Sequence, residues 1–303
     1  MPATAHHAIR PLVAEFRRRR PLRAGSLIVT IFGDAIAPRG GRVLLGSLIR
    51  LAAPFGVTER LVRTSVARLV YDGWLVARRD GRLSEYALSP GGRLRFADAT
   101  RRIYAANPVA WRGSWTLVLL PASPAGLRDG LRRPLQWLGF GQLAPSLLAH
   151  PTLTAAEARA ELGRATGARQ ALVFRAENDD PRADRRMVQA GWDLAALAGG
   201  YRRFLRRFEG LGPSLAAGAD PPDAFAVRTL LVHEFRRVHL RDPLLPATLL
   251  PEGWIGLSAY RLCRELYRAV FEAAEAHLGA IGERSDGPLP EPGPAIRRRF
   301  GGI

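Results

Sequence analysis

The sequence contains no lysine: all 45 basic residues are arginine, set against 27 acidic ones, for a formal charge of +18 over 303 residues. In a chain this rich in Ala, Gly and Pro, the missing lysine is a mark of codon bias, and little chemistry is read into the preference itself. A single cysteine, Cys263, excludes an internal disulfide and suits a reducing compartment. No apolar run approaches the ~20 residues needed to cross a bilayer. The basic N-terminal stretch is not followed by the apolar segment of a signal peptide. The expectation is a cytoplasmic protein without a membrane partner.

Signatures of catalysis are missing as well. His233-Glu234 begins like a zinc-protease motif, but the next histidine is His239, six positions on rather than four. On a helix those two imidazoles face different sides and cannot share a metal. Gly139-Phe140-Gly141 with Ala144 imitates a dinucleotide fingerprint but follows a helical pattern instead of a strand. No nucleophile elbow and no P-loop occur, and Cys263 lies in an apolar helical stretch, a core position. Neither an enzyme, a metal nor a cofactor is expected.

What the sequence does have is unevenly placed charge. Up to Arg112 there are 20 Arg against 7 Asp plus Glu, a net of +13 out of the +18. That concentration is an electrostatic footprint for a polyanion, with nucleic acid first among candidates.

Residues 57–73, VTERLVRTSVARLVYDG, carry the clearest pattern. Thr58 is a suitable N-cap and Glu59 places a carboxylate at the positive end of the helix dipole. Val62, Val66, Leu69 and Val70 fall on one stripe at i, i+4, i+7 and i+8. The opposite face offers Arg60, Arg63, Thr64, Ala67 and, at its flank, Arg68, the combination that reaches base edges and phosphates. Before it, residues 26–37 and 43–53 read as two buried helices, with a Gly-containing turn leading into the third. After it, residues 74–79 alternate as a strand, Asp80-Gly81 signals a tight hairpin, and residues 83–88 return. Arg78, Arg79 and Arg82 surround the tip. Helix-turn-helix followed by a basic hairpin predicts a winged helix-turn-helix over residues 23–106, closed by a linking helix from 89 to 106.

Residues 1–22 show no sustained periodicity and hold Pro2, Pro11, Pro21 and the run from Arg17 to Arg20. They read as a basic N-terminal arm, which lies along phosphates or stays disordered; the residues alone allow both. From Trp115 the texture changes. A buried strand (115–120), a helix (124–138), a strand (147–150), a helix (154–162) and a strand (171–175) suggest a ferredoxin-like α+β middle domain over 107–180. Helical patterns at 193–211, 221–240 and 255–278, with the Pro-punctuated stretch 241–254 between, predict a helical C-terminal domain over 181–281. Residues 282–303, Pro-, Gly- and Arg-rich without periodicity, read as a disordered tail. The fold class is α+β.

Three segments together resemble a known family. GVTERLVRTSVARLVYDGWL, the hairpin RRDGRLSEYALS with Gly91, and HEFRRVHLRDPLLPATLLPEGWIG (233–256) look like the PaaX family of bacterial repressors of phenylacetate and related aromatic catabolism. The likeness extends over roughly residues 24–278, and the Arg-Asp-Pro-Leu-Leu-Pro and Leu-Pro-Glu-Gly-Trp runs are its distinctive part. It implies a homodimer on a palindromic double-stranded DNA operator, released by an aromatic acyl-CoA such as phenylacetyl-CoA. It also implies a middle domain similar to a ferredoxin-like subunit of CRISPR adaptation complexes. The nuclease claimed there needs an acidic residue at the end of the first strand, where this chain has Leu119-Leu120-Pro121, so no nuclease is inferred.

In that frame Thr58 starts the recognition helix, Arg60, Arg63, Thr64 and Arg68 enter the major groove, and Arg78, Arg79 and Arg82 touch phosphate or minor groove. For the acyl-CoA, Arg236, Arg237, Arg241 and Trp254 are the candidates, the cations for phosphates and the ring for the acyl end. The plainer alternative has Arg236 and Arg237 at the surface or ion-paired with Glu234 and Asp242, and Trp254 in the core. Two other functions stay open: a ligand-independent DNA-binding regulator or activator, and a nucleic-acid-processing enzyme using the middle domain.

Overall fold

The computed structural model describes residues 5–81, 83–104, 110–121, 125–163, 170–216 and 218–303. They fall into two compact units, one from residues 1–106, 202–239 and 257–303, the other from 107–201 and 240–256.

In the first unit, α1 (Ala5–Arg17) is a true helix despite Pro11 in its interior. Ile9, Leu12 and Phe16 form a buried stripe along it, so apolar burial overrides the local cost of the proline. The N-terminal segment is therefore not a loose basic arm. Helix α2 (Ala24–Ile31) runs into a π-helical stretch, Phe32–Ile36, that carries the buried Asp34. Strand β1 (Arg42–Leu44) occupies residues expected to open a helix, and α3 (Leu45–Ala52) starts only after it. Val43 is fully buried by pairing with Tyr86, a long-range contact that residue spacing does not announce. Then come α4 (Glu59–Tyr71), β2 (Leu75–Asp80), β3 (Leu83–Leu88) and α5 (Pro90–Tyr104). The three strands make an antiparallel sheet in the order β1-β3-β2.

The second unit runs β4 (Ser114–Leu119), α6 (Ala125–Trp137), β5 (Gly141–Ala144), β6 (Leu147–His150), α7 (Ala155–Leu162), β7 (Leu172–Glu177) and α8 (Pro181–Gly191). Its sheet is antiparallel throughout, in the order β5-β6-β4-β7. β5 has no counterpart in the sequence reading; it is four residues long and interrupted by a register shift between Gln142 and Ala144. One sheet face packs Val118 and Leu148 against Leu131, Leu135, Ala158 and Leu162. The other packs Trp115 and Ala149 against Val188, Leu245 and Leu249. The side chain of Leu127, expected on the inward face of α6, and the boundary expected at Asn107-Pro108 lie outside what is described.

Helix α9 (Leu194–Phe208) belongs to the second unit up to Tyr201 and to the first from Arg202. The short α10 (Gly212–Ala216) and the long α11 (Pro221–His239) and α12 (Ile255–Ile281) complete the helices. The expected helical C-terminal domain 181–281 is thus not a separate body. α11 and α12 fold with the N-terminal helices, around charged groups that no local pattern reveals. Arg228 Nε donates to Asp34 Oδ2 at 2.7 Å, Arg299 Nη1 donates to Asp34 Oδ1 at 2.7 Å, and the hydroxyls of Tyr104 and Tyr267 donate to the same Oδ1. Arg228 and Arg39 also bond Glu275. Burial opposes the charge on Asp34, but Arg228 and Arg299 outweigh it and hold the carboxyl below its ordinary pKa.

Nor are residues 282–303 a disordered tail. A two-stranded ribbon, β8 (Glu283–Arg284) with β9 (Gly287–Pro288), precedes a 3-10 segment at Pro294–Gly301. Ile296, Arg299 and Phe300 of that segment are buried. Composition suggested disorder because the apolar residues are few; three of them, Leu289, Ile296 and Phe300, are buried.

Candidate nucleic-acid interface

Helix α4 is placed by its apolar stripe. Val62 and Val66 are fully buried and Leu69 nearly so, with α2 and α3 packed against the helix. Its start is fixed twice. Thr58 Oγ1 accepts from the Leu61 N–H at 3.4 Å, and Gly56, at φ +73°, makes the turn out of the preceding 3-10 segment. A Cβ at Gly56 would stand 3.1 Å from Arg17 Cγ, whose guanidinium Nε donates to the Pro54 carbonyl at 2.8 Å.

With that stripe inward, Arg60, Arg63, Thr64, Ala67 and Arg68 are all exposed on the free face. Arg63 is braced by Glu59 one turn earlier, at 2.7 Å, and Arg68 lies 3.7 Å from Asp72. Both pairs are solvent-exposed i,i+4 contacts, weak enough to be exchanged for a stronger anion. Thr64 Oγ1 donates to the Arg60 carbonyl at 2.9 Å.

The hairpin follows directly. Arg78 pairs with Glu85 and Arg79 with Ser84 in the β2–β3 register, with Gly81 at φ +56° in the turn. Both arginine side chains are exposed. Arg82 lies outside the described residues. The base of the hairpin is anchored where Ser89 Oγ donates to the Gly73 carbonyl and accepts the Gly92 N–H. Gly92 has to be glycine: a Cβ there would come within 2.1 Å of the Trp74 carbonyl oxygen.

The four residues expected at the acyl-CoA are dealt out differently. Arg236 and Arg237 are in the first unit, Arg241 and Trp254 in the second. Arg236 is committed to internal bonds, donating to Thr30 Oγ1 at 2.8 Å and to the Ser26 carbonyl at 2.6 Å; burial lowers its pKa to about 10. Arg237 is half-exposed, 3.7 Å from Glu234. Arg241 is exposed, and Asp242 accepts from the Tyr201 hydroxyl at 2.7 Å. Trp254 is a core residue, edge-on to Tyr201. Among the described residues, no cluster of three or more His, Cys, Asp or Glu side chains suits a metal ion.

Comparison with known sequences decides the relationship. The chain is 39% identical over 289 residues to the transcriptional repressor PaaX of Escherichia coli K12, spanning 93% of this chain and 92% of that protein. This chain belongs to the PaaX family. Profiles of the family match it in three consecutive regions: the PaaX-like protein over residues 23–92, the PaaX central Cas2-like domain over 108–188 and the PaaX-like C-terminal domain over 192–280. The PaaX family is one of regulators and not of enzymes. An uncharacterized protein of Mycobacterium tuberculosis has a similar structure, with a TM-score of 0.50 and 25% identity, over 76% of this chain and 89% of that one. Among the described residues no helix is long and apolar enough to cross a membrane.

The residues that sequence reasoning missed are Arg17, Arg19 and their neighbours. The arginine run hid the Ile9, Leu12, Phe16 stripe that marks the helix they end.

Proposed function

We propose that the chain is a transcriptional repressor that binds a palindromic operator as a homodimer and leaves it when an aromatic acyl-CoA binds. The observation that carries this is α4, anchored by Val62, Val66 and Leu69 while Arg60, Arg63, Thr64 and Arg68 are exposed. As the recognition helix of a winged helix-turn-helix, α4 lies in the major groove, with α3 before it and the β2–β3 hairpin as the wing. Arg78 and Arg79 on the wing reach phosphate or minor groove, and Arg82 at its tip is proposed with them. Two-fold symmetry sets the two helices about 34 Å apart, one turn of DNA, or a multiple of it. Kinship with a protein named as a transcriptional repressor supports the same reading. The strand order β5-β6-β4-β7 in a β-α-β-β-α-β chain supports a ferredoxin-like second unit. The cytoplasm is its proposed location.

Release requires the acyl-CoA to favour the state that does not hold DNA. Carrying occupancy from 1:99 to 99:1 takes about 5.5 kcal/mol of differential affinity. The test is a fluorescence-anisotropy titration of the protein on its own upstream promoter DNA at fixed salt, with and without phenylacetyl-CoA or free phenylacetate. Binding that is tight, weakened by the thioester alone and lost in Arg63→Ala is the expected result. Specific binding that ignores every acyl-CoA would make the protein a ligand-independent regulator, and no specific binding would overturn the proposal.

A further inference from the structure

The first unit contains a concave pocket of about 330 Å³ whose lining includes Phe16, Arg19, Arg20, Arg23, His233 and Arg237. Its walls are the end of α1, the link to α2, the first turn of α2 and the last turns of α11. The volume is that of a small ligand site. Four arginines, Arg19, Arg20, Arg23 and Arg237, line it, and carboxylates paired with them are few among the described residues. Glu234 is shared among Arg19 at 2.6 Å, Arg207 at 2.8 Å and Arg237 at 3.7 Å, and Arg207 also pairs with Glu15. Among the described residues the Arg20 side chain donates only to the Arg17 and Arg19 carbonyls, and the Arg23 side chain makes no hydrogen bond or ion pair. Cations that outnumber the carboxylates gathered with them in a concavity form an anion receptor. The floor supports a small ligand over a DNA strand: Phe16 and His233 are buried there, edge to face at 5.6 Å. The first turn of α2, without a side-chain cap, adds the positive end of its dipole.

We infer that this pocket receives the phosphorylated end of a small ligand carrying at least two negative charges, and that it is where an effector acts on the DNA-reading helix. The second half rests on the proposed repressor function; the first stands without it. The route from pocket to α4 is short. α2, which forms one wall, packs on α4. Arg17, at the end of the same α1 that supplies Phe16, holds the Pro54 carbonyl and covers Gly56 in the turn that launches α4. An anion that draws Arg19, Arg20 and Arg23 together therefore pulls on both supports of α4. Phosphates of the acyl-CoA proposed above and free pyrophosphate are two sources of the same chemistry.

The experiment is isothermal titration calorimetry of the full chain, at fixed ionic strength, with coenzyme A, inorganic pyrophosphate and pantetheine, which has no phosphate. The variants are Arg20→Ala/Arg23→Ala, whose side chains bond only the Arg17 and Arg19 carbonyls among the described residues, and Arg63→Ala on α4. Saturable binding of coenzyme A or pyrophosphate but not pantetheine, weakened about tenfold or more per arginine in the double variant and unchanged in Arg63→Ala, supports the pocket. Coenzyme A binding without pyrophosphate identifies the larger molecule as the source, and both binding alike identifies the phosphates. Promoter-DNA anisotropy then reads the coupling, expected as a change in duplex affinity on adding the ligand that the double variant does not show. Equal binding by wild type and double variant, or none by either, overturns the site. Binding that leaves duplex affinity unchanged overturns its role as effector site. A double variant that loses duplex affinity and no ligand shows a contact to the DNA backbone instead, and overturns the inference. If wild type binds no promoter DNA, the repressor function fails, while calorimetry still decides the pocket.

Discussion

Arg228 Nε lies 2.7 Å from Asp34 Oδ2, a buried ion pair between residues 194 positions apart. Arg299 closes on the other oxygen of the same carboxylate at 2.7 Å. The π-helical stretch after α2, the middle of α11 and the C-terminal segment thus meet at one acidic side chain. Removing one member of such a cluster strands the others as buried charges without a partner. Arg228→Met is expected to lower unfolding free energy by about 3–5 kcal/mol in urea titration. Asp34→Asn combined with Arg228→Met should cost less than the sum of the single changes. A fully additive pair would contradict the coupling.

The C-terminal segment is expected to be structural. Phe300 is fully buried, edge-on to Tyr104 with ring centroids 5.1 Å apart. Phe300→Ala should cost about 3–5 kcal/mol, and ending the chain after Gly293 should lower the melting temperature at least as far. A truncated chain melting with wild type would mean that the segment contributes no packing.

On α4, substitutions should separate function from folding. The side chain of Arg63 is 58% exposed, and its Glu59 pair is a surface contact. Arg63→Ala should therefore change stability by no more than about 0.5 kcal/mol. Its operator affinity should fall about 5- to 150-fold. Arg78→Ala and Arg79→Ala should each reduce the salt dependence of binding by about one unit of slope, as lost phosphate contacts do.

Two buried histidines set an acid limit. Burial, with Arg236, Arg237 and Arg19 adding repulsion, depresses the pKa of His233 from 6.5 to about 2. Burial likewise depresses that of His239 from 6.5 to about 4. Both are neutral in the folded protein, so the unfolded chain takes up protons first as pH falls below 6.5. Their contribution is complete above that value and is lost progressively as pH drops toward the folded values, about 2 kcal/mol for each by about pH 5. Urea midpoints at neutral pH and near pH 5 check this. His233→Gln should show a drop smaller by about 2 kcal/mol than wild type; an unchanged drop would show that His233 does not titrate in this window.

What the sequence determined by itself is what short-range periodicity can encode. The stripe of Val62, Val66 and Leu69, the cap at Thr58 and the Asp80-Gly81 turn need only neighbours within a few residues. Helix α4 and its hairpin were accordingly legible, with the arginines on the free side. The same holds for β4, α7, α11 and α12, each a sustained pattern bounded by turn residues. Only the tertiary structure decided where α11 and α12 belong, because the partners of Arg228 and Glu275 are Asp34 and Arg39, far along the chain. Strands β1 and β5 exist through pairing with distant segments and are too short to show a period. Arg236 looked like a free cation in the sequence and is in fact spent on Thr30 and Ser26. Arg17 to Arg20 read as part of a basic arm, yet Phe16 just before them is buried, and its burial fixes the helix end next to which Arg19 and Arg20 line the pocket. Charge along a chain is read from composition; which charges meet is set by the packing of apolar groups that carry them together.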